Sequence, residues 1–551
     1  MKRGPAVFSL QSCATAGTLL RVPPFKPVSL RSSGPPEADG TPLGSRQNAV
    51  MFQPPLAEKR DTFCVMPWFY QQLFSHGNVK PCCKFTRFIT HHDAPMSVYK
   101  QSLEEIWNSD DMRSIRRAMV RGETVSGCAG CYQEEESGGV SLRKTRNRDW
   151  QSAWLNEDKI SIDVLKAKAI ADDYRLLTAP SWLQLDVGNL CNLKCRMCCG
   201  YSSSRIDQDL VHRQWNGGAP ADQKRLPTGK RWFEDKNFIL TELFRHPEQV
   251  KQLEFLGGET LLIKEVRDIL ECLIEAGVAD NIVLMATTNG TVINSPWLGL
   301  AERFKQLALN VSIDGFGRYY EYIRYPARWS TVTRNIEILK KRSRTRLTAI
   351  ATLQAYNALN IVDLFKCLDS IGLDFYAYPV RHPPYLSPTV LPPSGRRLAV
   401  ERLWSYAEGD CLPKNRELVL GLASGLERAG DREVFDENLM RAFMLFTNDL
   451  DVTRGQSFRD THGELLELIT DAGFTWTNET FHARRVPPPD SLIPRSRQEQ
   501  AERRSGSQPS ALRKLFRFAH NVVQRAKQFA LLSDKQPRVA NGVNEQDVAD
   551  L

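Results

Sequence analysis

Cysteine is the residue type in this sequence whose spacing points most directly to chemistry. Thirteen cysteines occur in 551 residues, and nine of them fall into three tight groups. The groups are Cys64 with Cys82 and Cys83, Cys128 with Cys131, and Cys191, Cys195 and Cys198 with Cys199. Grouped cysteines in a long chain are typical of metal sites and are too unevenly placed for a disulfide framework, and the odd total argues against export. We therefore expect metal chemistry in a reducing cytoplasm.

The third group has the spacing Cys191-x-x-x-Cys195-x-x-Cys198 and directly follows a predicted strand at residues 183–187. Three thiolates on one loop at the carboxyl end of a parallel strand lie where α/β folds place their active sites. A structural zinc ion or an electron-transfer cluster normally takes four protein ligands. Three cysteines could instead hold a four-iron cluster with one iron left open for a substrate or cofactor.

The region that must position this loop alternates strand-like and helical patterns. Apolar runs predict six strands, at residues 183–187, 252–256, 282–287, 307–313, 347–353 and 375–380. Helical spacing predicts helices between most of them, such as 262–276, 331–341 and 361–371. This alternation implies parallel strands joined by right-handed crossovers. We expect an open α/β sheet or a barrel with fewer units than the eight of a full barrel.

The cysteine spacing after the first strand resembles the hallmark of the radical S-adenosylmethionine (radical SAM) superfamily, whose fold is a partial (β/α)6 barrel. Short motifs at the next three strand ends fit this resemblance: Gly257-Gly258-Glu259, Asn289, and Ser312 with Asp314. In the family, the glycine-rich segment meets the methionine amino group of SAM, and the later motifs lie near its ribose and carboxylate. The resemblance therefore implies that these six residues bind the cofactor.

The resemblance also implies a ligand set and a reaction. Cys191, Cys195 and Cys198 would ligate three irons of a 4Fe–4S cluster, and SAM would chelate the fourth. One electron from a reductase or a flavodoxin- or ferredoxin-type donor would cleave SAM to methionine and a 5′-deoxyadenosyl radical, which abstracts hydrogen from the substrate. Met197 departs from the pattern, since an aromatic residue is frequent there, but a thioether could still cover the adenine. Cys199 is expected to be a bystander.

The first two cysteine groups resemble the auxiliary-cluster module called SPASM, or its shorter twitch form. A cysteine, a hairpin glycine at Gly77 and a second cysteine have the module's arrangement. The resemblance implies one auxiliary iron–sulfur cluster, with the ligands Cys64, Cys82, Cys128 and Cys131. A four-cysteine zinc site is the alternative, and Cys83 could replace Cys82. The module precedes the barrel here, whereas most such modules follow it, so chain order does not indicate which side of the active site it faces.

Composition and periodicity divide the chain into five regions. They are a disordered arm at 1–55, the auxiliary module at 56–150, the partial barrel at 175–385, a helical region at 386–482, and a basic linker with an amphipathic tail at 483–551. A helical pattern at 102–120 separates the cysteines of the module.

Positive charge is concentrated in the two tails, which does not favour a specific nucleic-acid-binding core. The amphipathic tail could contact an anionic membrane or a partner, or stay solvated. No apolar stretch is long enough to span a membrane.

The substrate is the least constrained part of the prediction. Because SPASM and twitch relatives often modify peptides, the resemblance implies a peptide or protein side chain. Two alternatives stay open: a radical SAM mutase, epimerase or dehydrogenase acting on a small metabolite, and a non-catalytic, metal-stabilised binding protein. Residues that mix aromatic rings with cations after the last and the fourth strands are candidate substrate contacts, namely Tyr376, Tyr378, Arg381, His382 and Tyr385, and Tyr319, Tyr320, Tyr322 and Arg324.

Overall fold

A mixed eight-stranded sheet organises the part of the chain that the structure describes. The computed structural model describes residues 61–136, 139–150, 156–215, 231–380, 382–432, 435–478 and 480. The strands are β1 (Tyr70–Leu73), β2 (Val79–Lys80), β3 (Thr90–His91), β4 (Ala94–Pro95), β5 (Trp182–Asp186), β6 (Gln252–Leu256), β7 (Val283–Thr288), β8 (Gln306–Ser312), β9 (Thr345–Leu353) and β10 (Asp374–Pro379). The large sheet has the order β10-β9-β8-β7-β6-β5-β1-β2, and β3 pairs with β4 separately. The predicted arm at 1–55 and the predicted tail at 483–551 lie outside the described residues.

Helices connect the strands and continue after the last one. Their bounds are α1 (Leu103–Trp107), α2 (Asp110–Arg121), α3 (Ala129–Glu136), α4 (Leu142–Asp149), α5 (Ile162–Ala171), α6 (Ser204–Asp207), α7 (Leu210–Trp215), α8 (Lys236–Phe238), α9 (Lys264–Glu275), α10 (Ser295–Ala301), α11 (Gly317–Ile323), α12 (Trp329–Lys340), α13 (Ile361–Ser370), α14 (Pro393–Glu408), α15 (Pro413–Arg432), α16 (Glu437–Arg454), α17 (Phe458–Thr461) and α18 (Gly463–Asp471). In the described part of the chain, none of these helices combines the length and the apolar character that crossing a membrane requires.

Strands β5 to β10 are the six predicted strands, and every neighbouring pair among them is parallel. Along β8, buried Leu309 and Val311 alternate with half-buried Asn310. The buried face packs on helices, as where Phe365 of α13 stacks on Phe375 of β10 with ring centroids 4.4 Å apart. Parallel strands that are joined and covered on their outer face by helices are typical of a (β/α) barrel. The predicted partial barrel and the helical C-terminal region are confirmed.

The cysteine-bearing module is joined to the barrel through a shared sheet. Strand β1 lies parallel to β5, with Tyr70 opposite Trp182 and Gln72 opposite Gln184, and β2 pairs with β1 in an antiparallel hairpin. Sequence analysis treated the module as a separate unit. The pairing was not visible in the sequence, because the short strand β1 has partners more than a hundred positions away. The hairpin therefore extends the sheet beside the strand that precedes the three-cysteine loop.

The single helix predicted at residues 102–120 is wrong in detail, because the structure contains two helices there, α1 and α2. The break falls at Asn108, whose side chain exchanges hydrogen bonds with the backbone of Leu176, both at 2.9 Å. Ser109 then caps α2 by accepting a hydrogen bond from the backbone N–H of Met112. Serine and asparagine at this point compete with a continuous helix.

Candidate active site and metal centres

The three-cysteine loop begins where β5 ends. Cys191 and Cys198 are half-buried, and Cys195 is buried. The loop closes on itself because the side-chain amide of Asn189 donates to the carbonyl of Gly200 at 2.7 Å. The carboxyl ends of parallel strands form the catalytic edge of such folds. The structure thus brings the three predicted cluster ligands together on one closed loop at that edge.

Backbone hydrogen bonds fix the loop against the segment after α11. The N–H of Lys194 donates to the carbonyl of Tyr325 at 2.7 Å, and the N–H of Arg196 donates to the carbonyl of Ile323 at 2.9 Å. These bonds flank Cys195 on both sides. The thiol position therefore depends on pairing with a segment more than a hundred residues further along the chain.

The side chain of Arg196 ties the loop to the C-terminal helices. It is fully buried, and its Nε donates to the carbonyl of Tyr322 at 2.9 Å. Its Nη2 donates to the carboxylate of Asp451 and, at 3.0 Å, to Gln456. Sequence analysis missed Arg196, although it lies inside the cysteine motif, because its partners are too distant in the chain to be found from spacing.

Gly257 and Gly258 pack directly against the start of the loop. Gly257 has a φ of +149°, and a Cβ on Gly258 would lie 2.2 Å from the carbonyl oxygen of Leu190. That same carbonyl accepts a hydrogen bond from the backbone N–H of Glu259 at 2.7 Å. Glycine is needed here because no side chain fits between the two backbones. The glycines thus set how closely β6 approaches Cys191.

Glu259 is fully buried, and its carboxylate bonds to the protein itself. It accepts from the backbone N–H of Asn289 at 2.7 Å and from the hydroxyl of Thr288 at 2.6 Å. Burial raises the pKa of Glu259, and these hydrogen bonds oppose that rise. The side chain joins the ends of β6 and β7, so it has a structural task besides the cofactor contact predicted for it.

Asn289 links the end of β7 to the cysteine loop. Its side-chain amide donates to Asn192 at 2.8 Å and lies 4.0 Å from the sulfur of Cys191. Its side-chain oxygen accepts from the backbone N–H of Thr291 at 2.9 Å. Asn192 closes the network by donating to the Thr291 hydroxyl at 2.9 Å. Sequence analysis did not single out Asn192, and its place inside the cysteine motif was the available signal.

Ser312 and Asp314 lie at the end of β8. Ser312 is half-buried, whereas Asp314 is fully buried and accepts a hydrogen bond from the backbone N–H of Thr352 at 2.6 Å. The other carboxylate oxygen of Asp314 lies 2.7 Å from Nε of Arg324. Arg324 in turn donates from Nη1 to the sulfur of Cys195 at 3.8 Å. Asp314, which is predicted to contact the cofactor, is thus ion-paired with Arg324. Arg324 in turn contacts Cys195, a predicted cluster ligand.

The chemistry of the three thiols fits an iron–sulfur cluster. The pKa of Cys195 is raised to about 11, mainly by burial, while the Arg324 guanidinium opposes the rise and the neighbouring Cys191 thiol contributes to it. Burial also raises the pKa of Cys198, as do the Cys199, Cys195 and Cys191 thiols, in that order. Close, desolvated thiols remain protonated near neutral pH without a metal, so cluster binding must release their protons. The loop supplies three soft ligands, which suits iron and sulfide.

Cys64, Cys82, Cys128 and Cys131 line a common cavity in the auxiliary module. Burial raises the pKa of Cys128 to about 12, and the Cys131 thiol adds to the rise. The Cys128 and Cys131 thiols also add to the larger effect of burial on Cys64. The structure therefore gathers all four predicted auxiliary ligands, which come from segments up to 67 residues apart.

These four thiols have to be compared with the ligand sets of a zinc ion and of a cluster. A single zinc ion needs its four sulfurs at about 2.3 Å from one point. Within the described ranges, no group of three or more His, Cys, Asp or Glu side chains is placed to hold one metal ion. A 4Fe–4S cluster is larger and takes each thiolate on a different iron. Four thiols that line one cavity supply the number of ligands that such a cluster takes.

The remaining features of the module are the hairpin glycine and the extra cysteine. Gly77 turns the β1–β2 hairpin with a φ of +85°, and a Cβ there would meet the ring of Tyr99 at 2.6 Å. Cys83 is exposed, whereas Cys82 faces the cavity. This placement favours Cys82 over Cys83 as the auxiliary ligand.

The inner face of the barrel carries two carboxyl groups that sequence analysis did not find. Asp186 of β5 accepts hydrogen bonds from Gln72 and Tyr201, both at 3.3 Å. Glu254 of β6 accepts from the indole N–H of Trp182 at 3.2 Å. Burial raises the pKa of each carboxyl group to about 7. Such perturbed acids in a concave site are typical of functional positions.

The predicted substrate contacts fall into two groups. Tyr376 and Tyr378 of β10 are 49% and 51% exposed. They continue the inner face, because their register partners on β9 are the half-buried Ile350 and Thr352. By contrast, three other tyrosines that were predicted as substrate contacts are buried inside the protein, namely Tyr320, Tyr322 and Tyr385. Arg381 lies outside the described residues.

Two family models match this chain. The model described as the radical SAM superfamily matches residues 185–366, and the model described as an iron–sulfur cluster-binding domain, SPASM, matches residues 64–132. No curated protein gives a significant match.

Solved structures also show similarity, at low identity. Native anSMEcpe with bound AdoMet is 17% identical over 43% of this chain and 62% of that chain, with a TM-score of 0.31. SuiB of Streptococcus suis bound to S-adenosylmethionine is 14% identical over 55% of this chain and 63% of that chain, with a TM-score of 0.27. SuiB bound to its precursor peptide SuiA is 15% identical over 49% of this chain and 56% of that chain, with a TM-score of 0.25. Each alignment thus spans less than two thirds of the solved chain.

Proposed function

Since this chain belongs to the radical SAM superfamily and carries a SPASM iron–sulfur module, we propose that it reductively cleaves S-adenosylmethionine and abstracts hydrogen from a peptide or protein side chain. When loaded and reduced, the cluster on Cys191, Cys195 and Cys198 would supply the electron for that cleavage. The observation that carries the proposal is the closed loop of three thiols, packed against Gly257 and Gly258 at the carboxyl edge of the sheet.

The chain's own residues hold the parts of this site in place. Arg196 anchors the cysteine loop through its hydrogen bonds to Tyr322 and Gln456. The glycine pair fixes how closely the end of β6 approaches the loop. Asn289 fixes the third strand end against the loop. A radical reaction needs such fixed positions, because the protein's contribution is to orient the cofactor and to exclude competing hydrogen donors. The buried surroundings of Cys195 support that exclusion.

The auxiliary cluster would lie close to the barrel interior. Cys82 follows β2, and the β1–β2 hairpin extends the sheet beside β5 of the barrel. We infer that the auxiliary cluster passes electrons to or from the barrel, or borders the substrate.

A peptide substrate suits the polar inner face better than an apolar small molecule. The exposed rings of Tyr376 and Tyr378 and the carboxyl groups of Asp186 and Glu254 offer hydrogen bonds to a polar side chain or backbone. The strand that carries the tyrosines, β10, is the last in the sheet order. An edge strand leaves room for an extended segment to enter beside it.

The test is anaerobic reconstitution with iron and sulfide, followed by reduction with SAM. Wild-type protein should bind about eight irons per chain, as two four-iron clusters require, and should form 5′-deoxyadenosine. Cys195→Ala should abolish that product, whereas Cys367→Ala, a half-buried cysteine outside the three groups, should not. Uptake of zinc alone, or product formation that survives Cys195→Ala, would contradict the proposal.

The substrate class needs a separate experiment. A short peptide encoded beside the gene, incubated with the reduced enzyme and SAM, should change mass only when both are present. Turnover of a free metabolite with no change in any such peptide would contradict the peptide assignment while leaving SAM cleavage intact.

A further inference from the structure

Arg324 lies directly opposite Cys195 across the backbone pairing that fixes the cysteine loop. The hydrogen bonds Lys194 N to Tyr325 O and Arg196 N to Ile323 O flank the two residues. Across this pairing, Nη1 of Arg324 donates to the sulfur of Cys195 at 3.8 Å. The contact is therefore a consequence of backbone register and does not depend on a freely rotating surface side chain.

Asp314 holds the guanidinium of Arg324 from its other side. The Nε of Arg324 lies 2.7 Å from a carboxylate oxygen of Asp314, and the second oxygen is fixed by the backbone N–H of Thr352 at 2.6 Å. Arg324 is 8% exposed and Asp314 is fully buried. Water therefore screens this chain of contacts weakly, and a charge on Arg324 acts strongly on the sulfur.

We propose that Arg324 raises the reduction potential of the cluster that Cys191, Cys195 and Cys198 would hold, with Asp314 as its positioning residue; this inference rests on the proposed function. Reduction adds one electron, supplied by a flavodoxin- or ferredoxin-type protein or by dithionite, and no bond or proton has to move. The added negative charge is spread over the cluster and its thiolates. A cation hydrogen-bonded to one thiolate stabilises the reduced state more than the oxidised state.

Asp314 has the opposite electrostatic effect on the cluster. Its carboxylate offsets part of the positive charge on Arg324, so the two residues together set the potential. Removing the cation should lower the potential, and removing the carboxylate should raise it. A purely structural role would give no such difference in sign.

The test is a dye-mediated redox titration followed by electron paramagnetic resonance on the full-length, reconstituted protein. The signal that changes on addition of SAM identifies the three-cysteine cluster and separates it from the auxiliary one. Arg324→Gln should lower the equilibrium constant for reduction at least tenfold, or about 59 mV for one electron. Asp314→Asn should shift it upward. Arg328→Gln, a control in the same segment whose side chain is 74% exposed, should match the wild type.

Two results would overturn the inference: an Arg324→Gln potential equal to that of the wild type, or an Asp314→Asn potential at or below it. If Arg324→Gln does not assemble its cluster, the potential of Asp314→Asn decides: a value above that of the wild type supports the inference, and a value at or below it overturns the inference. A wild-type protein that shows no SAM-sensitive signal would instead refute the proposed function.

Discussion

Replacing Gly258 by alanine should impair SAM cleavage without unfolding the barrel. A Cβ at this position would lie 2.2 Å from the carbonyl oxygen of Leu190 and 2.6 Å from two backbone carbons of Asn189 and Leu190. These are backbone atoms, so no side-chain rotation can relieve the contact. The Leu190 carbonyl must move by about 1 Å to reach an ordinary separation.

That movement passes directly to the cofactor site. Leu190 precedes Cys191, and its carbonyl accepts the hydrogen bond from Glu259. A displacement of about 1 Å in a reactive site can cost on the order of 100-fold in rate. Overpacking of this kind typically costs about 1–3 kcal/mol of stability. We therefore expect cleavage to fall on the order of 100-fold while the protein stays folded.

The assay is the rate of 5′-deoxyadenosine formation, measured together with iron content and melting temperature. Gly299→Ala is the matched control, because a Cβ there has no atom within 4 Å. It should retain the wild-type rate. A Gly258→Ala protein that cleaves SAM at the wild-type rate with full iron content would refute the argument that these two backbones are in essential contact.

Three further changes test other parts of the structure. Asp186→Asn should stabilise the protein at pH 8 but not at pH 4, because the pKa of Asp186 is raised from 3.8 to about 7. Between these two pKa values the carboxyl group loses its proton in the unfolded chain but keeps it in the folded chain. The free energy of unfolding of the wild type therefore falls as pH rises, by roughly 4 kcal/mol at most. Thermal unfolding at the two pH values measures this difference. Arg196→Met should destabilise by up to about 3–5 kcal/mol, because it removes the fully buried cation that pairs with Asp451, whose side chain is 12% exposed; denaturant unfolding measures it. Replacing Cys128 and Cys131 together by alanine should lower iron from about eight to about four per chain, as read by iron analysis.

Each of these predictions has a clear contrary result. An Asp186→Asn melting temperature that differs from the wild type equally at pH 4 and pH 8 would show that this carboxyl group does not titrate abnormally. Unchanged stability in Arg196→Met would show that the C-terminal helices are not held through this residue. Full iron content after loss of Cys128 and Cys131 would place the auxiliary ligands elsewhere.

Local pattern was sufficient to predict the barrel and the ligand candidates. Strand β8 was predictable because Leu309 and Val311 are buried while Asn310 between them is not, an alternation that exists in the sequence itself. The three-cysteine loop was predictable for a similar reason, since its ligands fall within eight consecutive residues. Local periodicity and residue spacing are the same in the sequence and in the folded chain, so both can be used to predict strands and candidate ligands.

Tertiary structure decided everything that depends on partners far apart in the chain. The pairing of β1 with β5 joins the auxiliary module to the barrel, and it could not be predicted, because a strand of four residues has no sequence signal for its neighbour. The same holds for Arg324, whose sequence position suggested a substrate contact but whose side chain lies between Asp314 and Cys195. The sequence determined which residues are candidates for the chemistry, whereas the fold determined which of them meet. Contacts between distant segments arise from the packing of whole elements, and that packing is not encoded at any one position.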